Sequence, residues 1–207
     1  MQEPADLTGK IQTVTGPIDP KALGVCLTHE HLLVDLSDLL PPPNTATARA
    51  FYGQPLTLEA AAHCRNYSEF GTAHHRLDSI EIAVGEVGLY RQHGGQAMVE
   101  LTLPGICRDP VGLQRISRAA GVHVVMGCGF YVAAAHPPEL AGWGEEEIAE
   151  MLVADIVEGA AAEEESRTTG KGVVYSKNTG VRAGGIGRYI WVERMLPSLM
   201  CAAKLKS

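Results

Sequence analysis

No run of about 18 apolar residues occurs in the chain, so the sequence holds no candidate membrane-spanning helix. The first residues carry acids at Glu3 and Asp6 and no apolar stretch of the kind a secretory signal needs, so export is not expected. Cysteine pairing signals are also missing. The five cysteines, Cys26, Cys64, Cys107, Cys128 and Cys201, are odd in number, widely spaced and without a C-x-x-C pair, which predicts reduced thiols and a cytoplasmic location rather than a disulfide framework. Basic charge is scarce, with 17 Lys and Arg against 24 Asp and Glu for a net charge of -7, and this argues against a nucleic-acid partner held by a basic surface. No G-x-G-x-x-G or G-x-x-x-x-G-K-[ST] stands at a strand-to-helix turn, so a nucleotide-binding doubly wound sheet has no phosphate loop to support it. At 207 residues the chain is also short of the roughly 250 usual for a complete eight-stranded α/β barrel.

The composition that remains is that of a globular protein: 45% hydrophobic residues, 20% charged residues and a mean hydropathy of +0.01, enough to bury one sizeable core. Charge is unevenly spread. Residues 1–160 hold nine basic against twenty acidic residues, whereas residues 161–207 hold eight against four, and all eight histidines lie between His29 and His136. The chain therefore divides into an acidic, histidine-bearing segment, 1–160, and a basic tail of different character, 161–207.

Within the first segment strand and helix signals alternate. Ile11 to Gly16 and Leu23 to Thr28 are short apolar or β-branched runs separated by Pro17, Asp19 and Pro20, a pattern that predicts a hairpin leading into an interior strand. Residues 57–65 are weakly helical in pattern. From Leu77, Ile80, Val84, Val87 and Tyr90 recur at helical spacing and stop at His93-Gly94-Gly95. Ala97 to Leu103 reads as a strand, and Asp109-Pro110 as an N-cap and first-turn proline for a helix stopped at Gly121. Val122 to Met126 is nearly continuous in apolar residues, as in a parallel strand buried on both faces. Glu145 to Val157 is amphipathic, with three acids in its first turn to suit the helix dipole. This alternation is α/β grammar, shared by doubly wound sheets and closed barrels.

His29 and His31 stand one residue apart at the end of an apolar strand, so in extended geometry both imidazoles project from one face and can bind one divalent ion. The segment around them, Gly24-Val25-Cys26-Leu27-Thr28-His29-Glu30-His31-Leu32, resembles the first signature of the phosphotriesterase family, metal-dependent hydrolases on a (β/α)8 barrel. Gly94 to Glu100, Gly105 to Asp109 and Gly121 to Val132 resemble further segments of its phosphotriesterase-related branch, in the same order, so that the likeness runs over about residues 8–160. Cys26 stands where the signature usually has threonine.

The resemblance implies a TIM-type fold of which this chain carries about the first three to four βα units. It implies a catabolic hydrolase with two zinc ions per site in intact relatives, of which His29 and His31 would bind the more buried one. Small N-acetylated amines such as N-acetyltaurine, or esters, are the implied small-molecule substrates. Glu100, at the end of the second strand, is expected either to support the metal or contact substrate or to be a solvated strand-end acid; Tyr131 and His136 lie in the loop after the third strand, where barrel enzymes contact substrate. Cys107 and Cys128 read as packing cysteines, and His63, His74 and His75 as surface residues.

The remaining ligands of such a site have no counterpart here. No histidine follows His136, Asp155 is the last aspartate, and Arg188 falls where the branch has a bridging glutamate, after a segment, Thr179 to Gly187, that resembles a degenerate fourth strand. Lys177 is out of register to act as a carbamylated substitute. The expectation is a truncated or alternative product with at most a partial metal site, inactive or nearly so. Two alternatives stay open: a non-catalytic fragment that binds a partner, associates with itself through exposed barrel edges or is degraded, and the doubly wound nucleotide-binding domain.

Overall fold

The computed structural model describes residues 7–39, 43–52, 54, 57–58, 75–164 and 174–186. The chain opens with a two-stranded antiparallel ribbon, β1 (Ile11–Thr13) and β2 (Gly16–Ile18). The hairpin is closed within residues 11–18, and the run after Leu23 forms the strand that follows it, β3 (Cys26–Glu30). A two-residue strand β4 (Val34–Asp35), a short helix α1 (Ala46–Phe51) and β5 (Arg76–Leu77), antiparallel to β4, complete the first connection. Then α2 (Ile80–Gln92), β6 (Ala97–Glu100), α3 (Pro110–Ala120), β7 (His123–Cys128) and α4 (Glu145–Val157) alternate as the spacing predicted. An antiparallel pair β8 (Ala161–Glu164) and β9 (Val174–Asn178) and a two-residue strand β10 (Gly185–Ile186) follow. Most of the weak helical pattern over 57–65 falls outside the described residues.

Helix boundaries follow local chemistry. Ser79 Oγ accepts Ile82 N–H at the start of α2. Asp109 Oδ1 accepts Gly112 N–H at 2.8 Å, Pro110 occupies the first turn of α3, and Gly121 at φ +65° ends it in the left-handed conformation. Gly144 caps α4 through its own N–H, which donates to the Glu147 carboxylate at 2.7 Å.

The main sheet has four strands in the order β3-β6-β7-β10, every neighbouring pair parallel. Each new strand is added on the same side of the last. A doubly wound sheet reverses direction at a switch point, whereas an order that never reverses is how a (β/α)8 barrel begins. This overturns the nucleotide-binding alternative and gives an α/β, partial-barrel fold.

Burial follows the pleat. Val124, Met126 and Cys128 of β7 face a cluster with Leu113 of α3 and Ile148 and Leu152 of α4, while Met98 of β6 packs with Val87 of α2 and Ile116 of α3. Val125, on the opposite face of β7, is buried too, as expected of a parallel strand. The amino-terminal ribbon lies against the start of the sheet, with Val14 N–H donating to Val124 O at 2.9 Å. Strand β3, expected in the interior, is an edge strand among the described residues, with Leu27 38% exposed and Val25, just before it, 62% exposed.

Because α3 carries Leu113 and Ile116 into both clusters, its cap matters globally. Asp109→Ala is expected to lower the unfolding free energy by about 1 kcal/mol in urea titration, with Asp109→Ser recovering most of the loss.

Candidate metal-binding and active site

The carboxyl ends of the parallel strands gather the polar side chains. β3 pairs with β6 in an interrupted register, Leu27 opposite Met98 but Glu30 opposite Glu100, so that β3 spends one more residue than its neighbour over this interval. That bulge sits at Thr28-His29. In unbroken register His29 would stand opposite Glu100; the extra residue shifts this place to Glu30, between His29 and His31, which the two-residue alternation of the strand keeps on a common face. Their rings meet edge to face with centroids 5.3 Å apart, and the two Nε2 atoms approach to 3.3 Å.

Behind them stands a buried polar chain. Nδ1 of His31 lies 2.9 Å from Thr102 Oγ1, and the Thr102 hydroxyl donates to Glu100 Oε1. Glu100 also accepts the backbone N–H of Thr102 at 3.1 Å and of Leu32 at 3.3 Å. Its side chain is fully enclosed, 0% exposed, which removes the reading of a solvated strand-end acid. Burial pushes its pKa up to about 7, against the opposing pull of the three hydrogen bonds and of the Arg108 charge. Burial, and then the neighbouring His29, lowers the pKa of His31, favouring the neutral ring that a metal ligand must present.

Arg108, 2% exposed, forms an ion pair through Nη1 with Asp155 Oδ2 of α4, itself 4% exposed, while Arg108 Nε is buried with no hydrogen-bond partner among the described residues. Cys128, 0% exposed, lies close enough to feel both charges, and burial, followed by Asp155, pushes its thiol up to about 12. It packs and does not serve as a nucleophile.

Tyr131 and His136 share the loop after β7, as expected, and His136 is committed to that loop. Its Nε2–H donates to Tyr131 O at 2.9 Å and its ring lies 6.0 Å from Phe130. Tyr131 packs with Val34, Ile106 and Ala135. His63, His74, Arg188 and the side chain of Lys177 fall outside the described residues. The sequence reading missed Thr102, Arg108 and Asp155 as parts of this cluster. Only Glu100-x-Thr102, an alternating polar pair at a strand end like His29-x-His31, left a local trace.

The donor set fits a divalent cation in part. Two imidazole nitrogens each about 2.0 to 2.1 Å from one ion in tetrahedral geometry are separated by roughly 3.3 to 3.4 Å, the spacing found here. Among the described residues no third His, Cys, Asp or Glu completes a three-ligand group. A cleft of about 370 Å³ at the other end of the sheet, lined by Gln12, Thr15, Gln114, Glu158 and Arg182 among others, shares no residue with this cluster.

The model of the phosphotriesterase family matches residues 9–174. The chain belongs to the phosphotriesterase family. N-acetyltaurine hydrolase of Tetraodon nigroviridis is 36% identical over 161 residues, and the human N-acetyltaurine hydrolase 34% identical over 157, each alignment covering 75% of this chain and 45% of the relative. The chain thus spans about half the length of the curated relatives it matches. Among solved structures, a resiniferatoxin-binding protein from Rhodobacter sphaeroides is 36% identical with a TM-score of 0.75, covering 87% of this chain and 46% of that one. An organophosphorus hydrolase from Deinococcus radiodurans, 24% identical with a TM-score of 0.54, shares the fold. The family match runs past residue 160, where the charge balance changes, through the β8 strand and up to the first residue of β9.

Two measurements probe the buried charges of this family member. Because the Glu100 pKa lies above its open-chain value of 4.5, the folded state holds the extra proton between these values, and stability falls as pH rises through that window. Between about pH 5 and pH 8 the wild-type protein is expected to lose roughly 2 to 3 kcal/mol more than Glu100→Gln, read from urea midpoints. Asp155→Asn leaves Arg108 without its counter-charge and is expected to cost about 3 to 5 kcal/mol by the same measurement.

Proposed function

We propose that the strand-end cluster is the first-strand portion of a zinc-dependent hydrolytic site acting on a small molecule, an N-acylated amine of the N-acetyltaurine kind or an ester. His29 and His31 are the cation ligands. The observation that carries this reading is the 3.3 Å approach of their Nε2 atoms at the carboxyl end of the first barrel strand, on a chain of this family. When bound, a divalent cation supplies Lewis-acid polarisation of the bond under attack and lowers the pKa of a water. The chain's own residues do the rest. Alternation along the strand brings both imidazoles to one side, burial lowers the His31 pKa in the direction of the neutral ring, and Glu100 holds the start of the following loop through Leu32 N–H. Tyr131 is assigned to substrate contact at the mouth, with His136 bracing its backbone.

In this reading residues 1–160 are the hydrolase portion and, among the described residues after 160, the two-residue β10 extends the main sheet by a fourth strand. With no third ligand among the described residues, the 207-residue chain is expected to hold zinc through a partial site and to turn over little substrate. The acidic balance and the thiols of Cys26 and Cys128 are in keeping with a cytoplasmic setting.

A second reading, a non-catalytic fragment that associates through its open edge, is favoured by one observation, the exposure of Val25 and Leu27 along β3.

Zinc titration by calorimetry, size-exclusion chromatography and hydrolysis assays on N-acetyltaurine and a chromogenic ester separate these readings. The site reading expects about one zinc per monomeric chain, weakened more than about tenfold by His29→Ala or His31→Ala. Metal-free aggregates favour the associating fragment. Zinc-dependent turnover abolished by His29→Ala refutes the expected inactivity.

A further inference from the structure

We propose that Thr102 is a positioning residue for His31, its hydroxyl fixing which ring nitrogen of that histidine carries the proton and therefore which one is free to bind a cation. The inference rests on the zinc-site reading above for its purpose, but its geometry is independent of it. The Thr102 hydroxyl donates to Glu100 Oε1, and with the carboxyl ionised, as at the pH of the test below, that oxygen only accepts. Having given its single proton to Glu100, Thr102 Oγ1 can meet the Nδ1 of His31, 2.9 Å away, only as an acceptor. Nδ1 of His31 is then the protonated nitrogen, and Nε2 carries the lone pair.

The neighbouring ring agrees with this assignment. Nε2 of His31 lies 3.3 Å from Nε2 of His29, and two lone pairs do not face each other at that distance. With the lone pair on His31, the His29 Nε2 carries the proton in the metal-free protein, and a divalent cation takes the place of that shared proton. Glu100 in turn is anchored by two backbone N–H groups, Thr102 at 3.1 Å and Leu32 at 3.3 Å, so the acceptor at the end of the chain is fixed to the backbone of both strand ends. The order His31 Nδ1–H to Thr102 Oγ1–H to Glu100 Oε1 has one direction. A metal-ligating histidine needs such a partner on its other nitrogen, and losing it costs typically about 10- to 100-fold in metal affinity.

The test is long-range nitrogen–proton NMR of the metal-free protein at about pH 8, together with zinc affinity by competition with a chromophoric chelator. The wild type is expected to show His31 as the Nδ1–H tautomer and His29 as the Nε2–H tautomer. Thr102→Val, equal in shape but without the hydroxyl, is expected to release His31 into the Nε2–H form and weaken zinc about 10- to 100-fold, and Thr102→Ser to restore both. A wild-type His31 in the Nε2–H form overturns the proposal without any variant, so a poorly folding Thr102→Val does not shield it. An unchanged tautomer in Thr102→Val overturns it as well. If no variant and no wild type binds zinc while the tautomers behave as stated, Thr102 positions His31 as proposed and it is the zinc-site reading that fails.

Discussion

Arg108 and Asp155 form an ion pair that is almost entirely removed from water, 2% and 4% exposed, and its position organises the rest of the domain. Desolvating two charges costs several kcal/mol each, so such a pair adds little net stability compared with apolar side chains of similar size. What it gives is location. Arg108 follows β6 and Asp155 lies in the third turn of α4, so the pair ties the loop after the second barrel strand to the helix after the third. The Asp155 carbonyl accepts Ala183 N–H at 2.9 Å, which sets the approach to the fourth strand. The Arg108 charge also acts on the buried Glu100, whose carboxylate holds Thr102 and the backbone beside His31. One charge pair thus connects helix packing to the orientation of the histidines.

The second organising feature is the bulge in β3. A parallel sheet presents its side chains in register, and without the bulge the place opposite Glu100 would fall to His29. One inserted residue separates the two functions, a buried carboxylate that holds backbone and a pair of exposed or half-exposed imidazoles that meet a ligand.

The sequence made legible whatever depends on near neighbours. The Asp109-Pro110 start and Gly121 stop of α3, and Glu145 to Val157 as a helix, were readable because capping and dipole effects act within one turn. The β/α alternation and the resemblance around His29 and His31 located the partial barrel. Arg108 to Asp155 was not readable, since 47 residues separate the partners and neither stands in a motif. The burial of Glu100 was open for the same reason: a strand-end acid looks identical in sequence whether it faces water or an arginine. The partner of the Leu23 to Thr28 run was not legible, because strand propensity says nothing of what a strand pairs with, and the parallel ladder to β6 takes it.

The ribbon at the start of the chain and the run into β10 meet at Gly184, where a Cβ would come within 2.1 Å of Gln12 O. Strand β10 completes the described sheet by pairing with β7, whereas the contact of Gly184 with Gln12, about 170 positions away, closes a far longer loop. Contacts between residues so distant in sequence slow folding, because the loop between them must close before they form. The absence of a side chain at Gly184 therefore joins two distant parts of the described chain: a Cβ there would press on Gln12 O and on Val125, holding the run into β10 away from both the ribbon and β7.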